Sequence, residues 1–354
     1  MTSIDLVCAC RYHSEDRRQK AEGRRPFFAN ATKGGRKAEY GEWRWIVSEG
    51  GDIRRLDVTA TFACVGALCF WSLGPIFITY LTGYLDSWTQ NLLRYSVACL
   101  FWLPFLLFSI KKRQFDTGTW RRAIVPALAN VIMQSLYAAA FYYIGPAFMV
   151  LLAKSSIIWV AGFSLIFFAD ERALARSKRF WVGLALSILG AVGVLCFKKD
   201  FAAAGTLTGV VITLAQAFMW AVYTVSVRIA FRDTDSRSGF SVISIYTVAG
   251  LCVFAMLFGR VGDFVRLGVG QWAAVVISGV LCIAVAHVLY YAAMRRIGAT
   301  IPALVVLAQP FIVLAISYIV FGESLNGFQL FFGLVLLTGS ALAIWAQQQL
   351  AWGE

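Results

Sequence analysis

Beyond a polar N-terminal stretch, apolar residues run in blocks of about twenty, separated by short polar segments rich in Arg, Lys, Gly and Asp. A helix rises 1.5 Å per residue, so each block can cross the ~30 Å hydrocarbon core of a bilayer. The blocks predict ten helices, at about 58–81, 88–110, 122–143, 147–168, 180–197, 206–228, 240–259, 271–292, 300–321 and 327–348. Most connections are under a dozen residues, which makes successive helices packed antiparallel neighbours. The ~10-residue apolar–polar alternation of a membrane β-barrel is missing. The expected fold is an all-α membrane protein with ten transmembrane helices.

Composition agrees. The 354 residues are 59% hydrophobic and 14% charged, where a soluble domain carries about 25% charge. The net charge of +13 would suggest nucleic acid in a soluble protein, but here it sits where a membrane protein needs it. With the N-terminus in the cytoplasm, the inside loops hold 14 Lys and Arg residues and the outside loops four, Lys198, Lys199, Arg260 and Arg266. This asymmetry places both termini inside. Residues 1–55 hold twelve more basic residues and no apolar core of a signal peptide. They read as a disordered cytoplasmic tail, with 349–354 as a short C-terminal tail. Six of the eight cysteines lie in or at the ends of apolar runs, and Cys8-x-Cys10 has no second pair, so no metal site or cofactor is expected.

An internal repeat is legible. "GPAFMVLLAKSSIIWVAGFSLIFFADERALARSKRFWVGLALSILGAVGVL" and "GATIPALVVLAQPFIVLAISYIVFGESLNGFQLFFGLVLLTGSALAIWA" share a plan. Each has a Gly entry, an apolar span, an acid just past it (Glu171, Glu323) and a second span with spaced glycines. Trp71 and Trp220 echo each other more weakly. The repeats divide the chain at 56–198 and 199–348. Five spans is an odd number, so the second copy must be inverted, which is a transporter architecture with its site between the halves.

These stretches resemble the drug/metabolite transporter superfamily, in its ten-helix EamA-type branch. "ALCFWSLGPIF" is similar to the family's first-helix Trp-Gly pattern, here Trp71 and Gly74 with two residues inserted. "QNLLRYSVACLFWLP" is similar to its second-helix pattern around an arginine, Arg94. "YYAAMRRIGATIPALVVLAQPFIVLAISYIVFGESL" resembles the end of its second repeat, with Pro310 and a terminal Gly-Glu. The likeness covers about 58–348. Two departures bear on the substrate: Ile158 stands where the family often has a proline, and Lys154 is outside the general pattern. The resemblance implies a secondary transporter, an exporter of amino-acid-like or related solutes, in a bacterial inner membrane.

Candidate site residues follow from the cost of polar groups in lipid. Lys154 lies well inside its span beside Ser155 and Ser156, and reads either as a cavity cation or as a lysine snorkelling outward. Arg94 reads as an anion contact or as a structural arginine near the outer interface. No carboxylate lies mid-span, so a substrate anion is one natural partner for the two cations. This favours a small-molecule substrate that is anionic or zwitterionic. His287 reads as a packing histidine or a coupling group. Gln134, Gln216 and Gln309 can bond a substrate or a neighbouring helix. Pro310 frees a backbone carbonyl beside Gln309, and Trp71, Trp220 and Tyr223 can wall a cavity. With one membrane histidine and no buried acid, a catalytic constellation is not visible, and the chain is not read as an enzyme. A non-transporting receptor or scaffold is the alternative, and a homodimer is an open partner beside the lipid bilayer.

Overall fold

The computed structural model describes residues 58–112, 115–168, 172, 175–198, 203–231, 236–297 and 300–351. The basic tail, Glu171 and the Gly298-Ala299 entry to the ninth span lie outside them. Ten helical spans carry the fold. These are α1 (Val58–Leu81), α2 (Ser87–Lys111), α3 (Ile124–Ala140), α4 (Pro146–Ala153 with Ser156–Phe167) and α5 (Lys178–Cys196). The second set is α6 (Ala204–Ala230), α7 (Ser236–Phe258), α8 (Val269–Ile277, a π-helical stretch Ser278–Val285, then Ala286–Ile297), α9 (Thr300–Val306 with Gln309–Phe321) and α10 (Gly327–Ala351). Among the described residues, nine are long and apolar enough to cross a membrane. The tenth, α3, has 17 residues; it follows a separate turn, Gly118–Arg122, and is shorter at both ends than the expected 122–143. α10 runs three residues past its expected end.

Local chemistry sets the helix ends. The Asp86 carboxylate accepts from the backbone N–H groups of Trp88 and Thr89 and starts α2. Asn326 and Gln329 cap the start of α10 reciprocally, each side-chain oxygen taking the other's backbone N–H. α9 stops at Gly322, whose φ of 69° is left-handed. Its N–H returns to the Tyr318 carbonyl, and that of Glu323 to Ser317. This reversal carries the Glu323 side chain back over the bundle.

The packing has the symmetry of an inverted repeat. Three helices pack on their own counterparts: α2 on α7, α4 on α9, and α5 on α10. Three further pairings come in matched sets: α1–α8 with α6–α3, α1–α9 with α6–α4, and α2–α8 with α7–α3. Five crossings per repeat make the second copy enter from the opposite face. Lipid supplies no hydrophobic drive between helices, so close approach through small residues does the work. A Cβ on Gly183 would come within 2.7 Å of the Ala343 nitrogen, and one on Gly339 within 2.5 Å of the Ser187 nitrogen. The α5–α10 contact is therefore backbone to backbone. Large apolar side chains such as Leu100, Leu107, Val125, Ile166 and Ile319 stay exposed on the outer surface, which suits a surface that meets lipid.

Candidate functional site

Both α4 and α9 are broken in mid-span, and the breaks face each other. In α9 the cause is Pro310. It has no N–H for the Val306 carbonyl, and its ring crowds that carbonyl. The backbone tightens there into three-residue hydrogen bonds, Leu307 to Leu304 and Ala308 to Val305, each at 3.1 Å. α4 carries Ile158 at the matching position, yet it tightens the same way. Lys154 bonds to Leu151 at 3.2 Å, Ser155 to Leu152 at 3.0 Å and Ile158 to Ser155 at 3.0 Å. The continuous span expected over 147–168 is thus two segments, with Lys154 and Ser155 at the joint. No proline forces this second break.

A bridge between the repeats forms at the two breaks. Lys154 Nζ donates to Gln309 Oε1 at 2.9 Å, and Gln309 Nε2 donates to the Trp71 backbone carbonyl at 3.0 Å. Gln309 and Pro310 are buried, and Lys154 is half-buried. The lysine therefore has a neutral partner, and no carboxylate among the described residues pairs with it. Beside it the Ser155 hydroxyl is buried with no hydrogen-bond partner. An unpartnered buried polar atom costs about 1–3 kcal/mol.

Trp71 continues the site toward the Arg-rich end of the bundle. Its ring meets His287 edge-on at 5.2 Å and Tyr290 at 4.8 Å, and His287 stacks on Phe240 at 4.7 Å. His287 Nδ1 donates to the Ile283 carbonyl at 2.5 Å. That carbonyl belongs to the π-helical stretch of α8, where the ordinary ladder is interrupted. Arg94 lies 4% exposed against the same stretch, its Nε donating to Ser278 Oγ at 2.9 Å. Gln134 is half-buried and Gln216 is buried with Oε1 unpartnered.

The structure thus brings together Lys154, Ser155, Gln309, Pro310, Trp71 and His287. It does not join Trp220 and Tyr223 to them. Trp220 is 37% exposed, and Tyr223 packs on a separate cluster around Leu106, Ala127 and Ile243. Among the described residues, a cavity of about 310 Å³ lies beside α9 and Glu323, lined by Phe311, Leu314, Ala315, Tyr318 and Leu325 among others.

The Asp86 end of the bundle is tied across the repeats. Asp86 Oδ2 accepts from the Arg260 backbone N–H at 2.8 Å and from Thr89 Oγ1 at 2.6 Å. Glu323 accepts from the N–H groups of Ala147 and Phe148 at 2.9 and 3.1 Å, and from Ser317 Oγ at 2.5 Å. Asn326 Nδ2 donates to the Phe197 carbonyl at 2.6 Å. At the opposite end, cross-repeat contacts among the described residues include Arg228 over Phe168 and Arg179 over Trp345. Sequence reading saw Glu323 only as a marker of the repeat. Asn91, Ser278, Tyr137 and Phe240 went unremarked, although Asn91 and Arg94 at an i, i+3 spacing were a visible signal.

Known proteins agree with this architecture. An uncharacterized transporter from Archaeoglobus fulgidus is 24% identical over 290 residues, covering 80% of this chain and 96% of its own. A solved crystal structure at 18% identity shares the fold, with a TM-score of 0.57 over 82% of this chain and 98% of its own. The EamA-like transporter family matches twice, at residues 58–196 and 207–345, once per inverted repeat. With both five-helix units matched and packed about a shared bridge, the chain is an integral membrane protein of the EamA-like transporter family.

Proposed function

We propose that this transporter exports a small amino-acid-like or related organic solute by alternating access, and that Lys154 holds an anionic group of that solute. The supporting observation is the Lys154–Gln309 bridge, which spans the two helix breaks, one from each repeat. Broken helices at the interface of inverted repeats are where secondary transporters bind. A cation with only a neutral partner gains from an arriving anion, because its burial is unfavourable. Ser155, Gln134, Gln216, Trp71 and His287 complete the polar and aromatic wall, with α3, α4, α8 and α9 lining the pathway. In the proposed topology both termini are cytoplasmic, in a bacterial inner membrane. The tied Asp86 end is then outside, and the conformation is closed to the outside.

Lys154→Met tests the reading, since it keeps the apolar stem and removes the charge. Solute release is followed by metabolite profiling of cells with and without the protein. The variant should reach the membrane in normal amounts and lose export at least tenfold, while Lys154→Arg retains part of it. Normal export by Lys154→Met would make the lysine a packing residue and end this reading.

A further inference from the structure

Arg94 is the second cation within the spans, and the Lys154 site does not use it. It is buried, yet among the described residues its side chain makes a single hydrogen bond, from Nε to Ser278 Oγ. A guanidinium has five N–H donors arranged as a planar fork that matches a carboxylate. A structural arginine in lipid would spend these on backbone carbonyls, but among the described residues the terminal nitrogens meet no hydrogen-bond acceptor and no carboxylate. One turn nearer the Asp86 end, Asn91 is 1% exposed and its Nδ2 has no acceptor either. The i, i+3 spacing puts both groups on one face of α2. The unused nitrogens are all donors, so what completes them is an acceptor, and against a guanidinium an anion.

Depth relates this place to Lys154. Arg94 stands seven residues after Ser87 in α2, and Lys154 eight residues after Pro146 in α4. The two helices run in the same sense, so both cations lie roughly 10–12 Å below the Asp86 end. Tyr137 of α3 connects the two sides. It is an electrostatic neighbour of Arg94, and it packs on the cluster that contains Met149 and Leu152 of α4 and Val313 of α9.

We propose that the substrate carries two anionic groups, as a short dicarboxylate does, with Arg94 and Asn91 forming the subsite for one and Lys154 holding the other. This rests on the reading of Lys154 given above. The absence of any acid within the described spans agrees with a ligand that brings negative charge at both ends.

Binding of glutarate and of valerate to the full-length protein in lipid nanodiscs tests it, because the acids share a five-carbon chain and differ in one carboxylate. Wild type should bind glutarate at least tenfold tighter than valerate. Arg94→Met should bring glutarate to the valerate level and leave valerate unchanged, and Arg94→Lys should keep most of the difference. If Arg94→Met does not fold, the wild-type comparison and Asn91→Leu decide, the latter expected to weaken glutarate alone. Equal wild-type affinities, or glutarate binding that ignores both substitutions, would overturn the second subsite alone. Valerate binding insensitive to Lys154→Met would overturn the Lys154 reading instead, and binding of neither acid would overturn both.

Discussion

Single residues tie the Asp86 end together, and two of them can be tested there. Burial by itself would raise the Asp86 carboxyl, but hydrogen bonds from Thr89 Oγ1 and from the backbone N–H groups of Arg260, Thr89 and Trp88 hold it below its usual range. A lowered folded value means that its contribution to stability is complete above the ordinary carboxyl value of 3.8. It is lost as pH falls through the folded value. Asp86→Asn should therefore melt below wild type at neutral pH, and the gap should close as pH drops below about 4. A gap independent of pH would show that Asp86 acts by shape alone. Gly145 is the second case. A Cβ there would overlap the Glu323 carboxylate. Gly145→Ala should cost about 1–3 kcal/mol, measured by unfolding in detergent. Removing the carboxylate as well, in Gly145→Ala with Glu323→Ala, should cost less than the sum of the two single changes.

At the scale of the element, the break in α9 has a cause in the chain and the break in α4 does not. Pro310→Ala restores an N–H and removes a ring clash, so α9 can straighten through Leu307 and Ala308. Export should fall about tenfold or more, because Gln309 then leaves Lys154, while the melting temperature holds or rises. A fully active Pro310→Ala protein would separate the break from transport. The α5–α10 contact makes the opposite demand. Gly190 faces the Leu336 backbone with no room for a side chain. Gly190→Leu should push the helices apart and destabilise the protein by a few kcal/mol, with no change in the affinity of the molecules that remain folded.

For the whole molecule, the proposed topology and state make one joined prediction. Cysteine placed at Val265, in the exposed connection Val261–Arg266 between α7 and α8, should react with an impermeant thiol reagent added to intact cells. A cysteine at Phe240, beside His287, should react only from the inner side in the conformation described. Both experiments need a background without the native cysteines. Labelling of Phe240→Cys from outside would contradict an outwardly closed state. A reporter fused after residue 351 that is active only outside the cell would invert the whole assignment.

Sequence alone determined what the bilayer dictates. A span must be about twenty apolar residues, so its count and order are written locally in the chain. The repeat was legible because each copy keeps its own Gly entry, terminal acid and glycine-spaced helix. Inversion then followed from the odd number of spans. Lys154, Gln309 and Pro310 were visible as costly residues in lipid. Their meeting was not, since Lys154 and Gln309 are 155 positions apart and come together only where α4 packs on α9. The α4 break was hidden for the same reason: no proline announces it. Glu323 capping α4 needed the turn at Gly322 and the crossing of the repeats. Trp220 and Tyr223 could not be placed from the chain alone, because aromatic residues serve lipid surface, packing and cavity alike. Which of these a given ring does depends on the rotation of its helix against its neighbours, and that is set by tertiary packing alone.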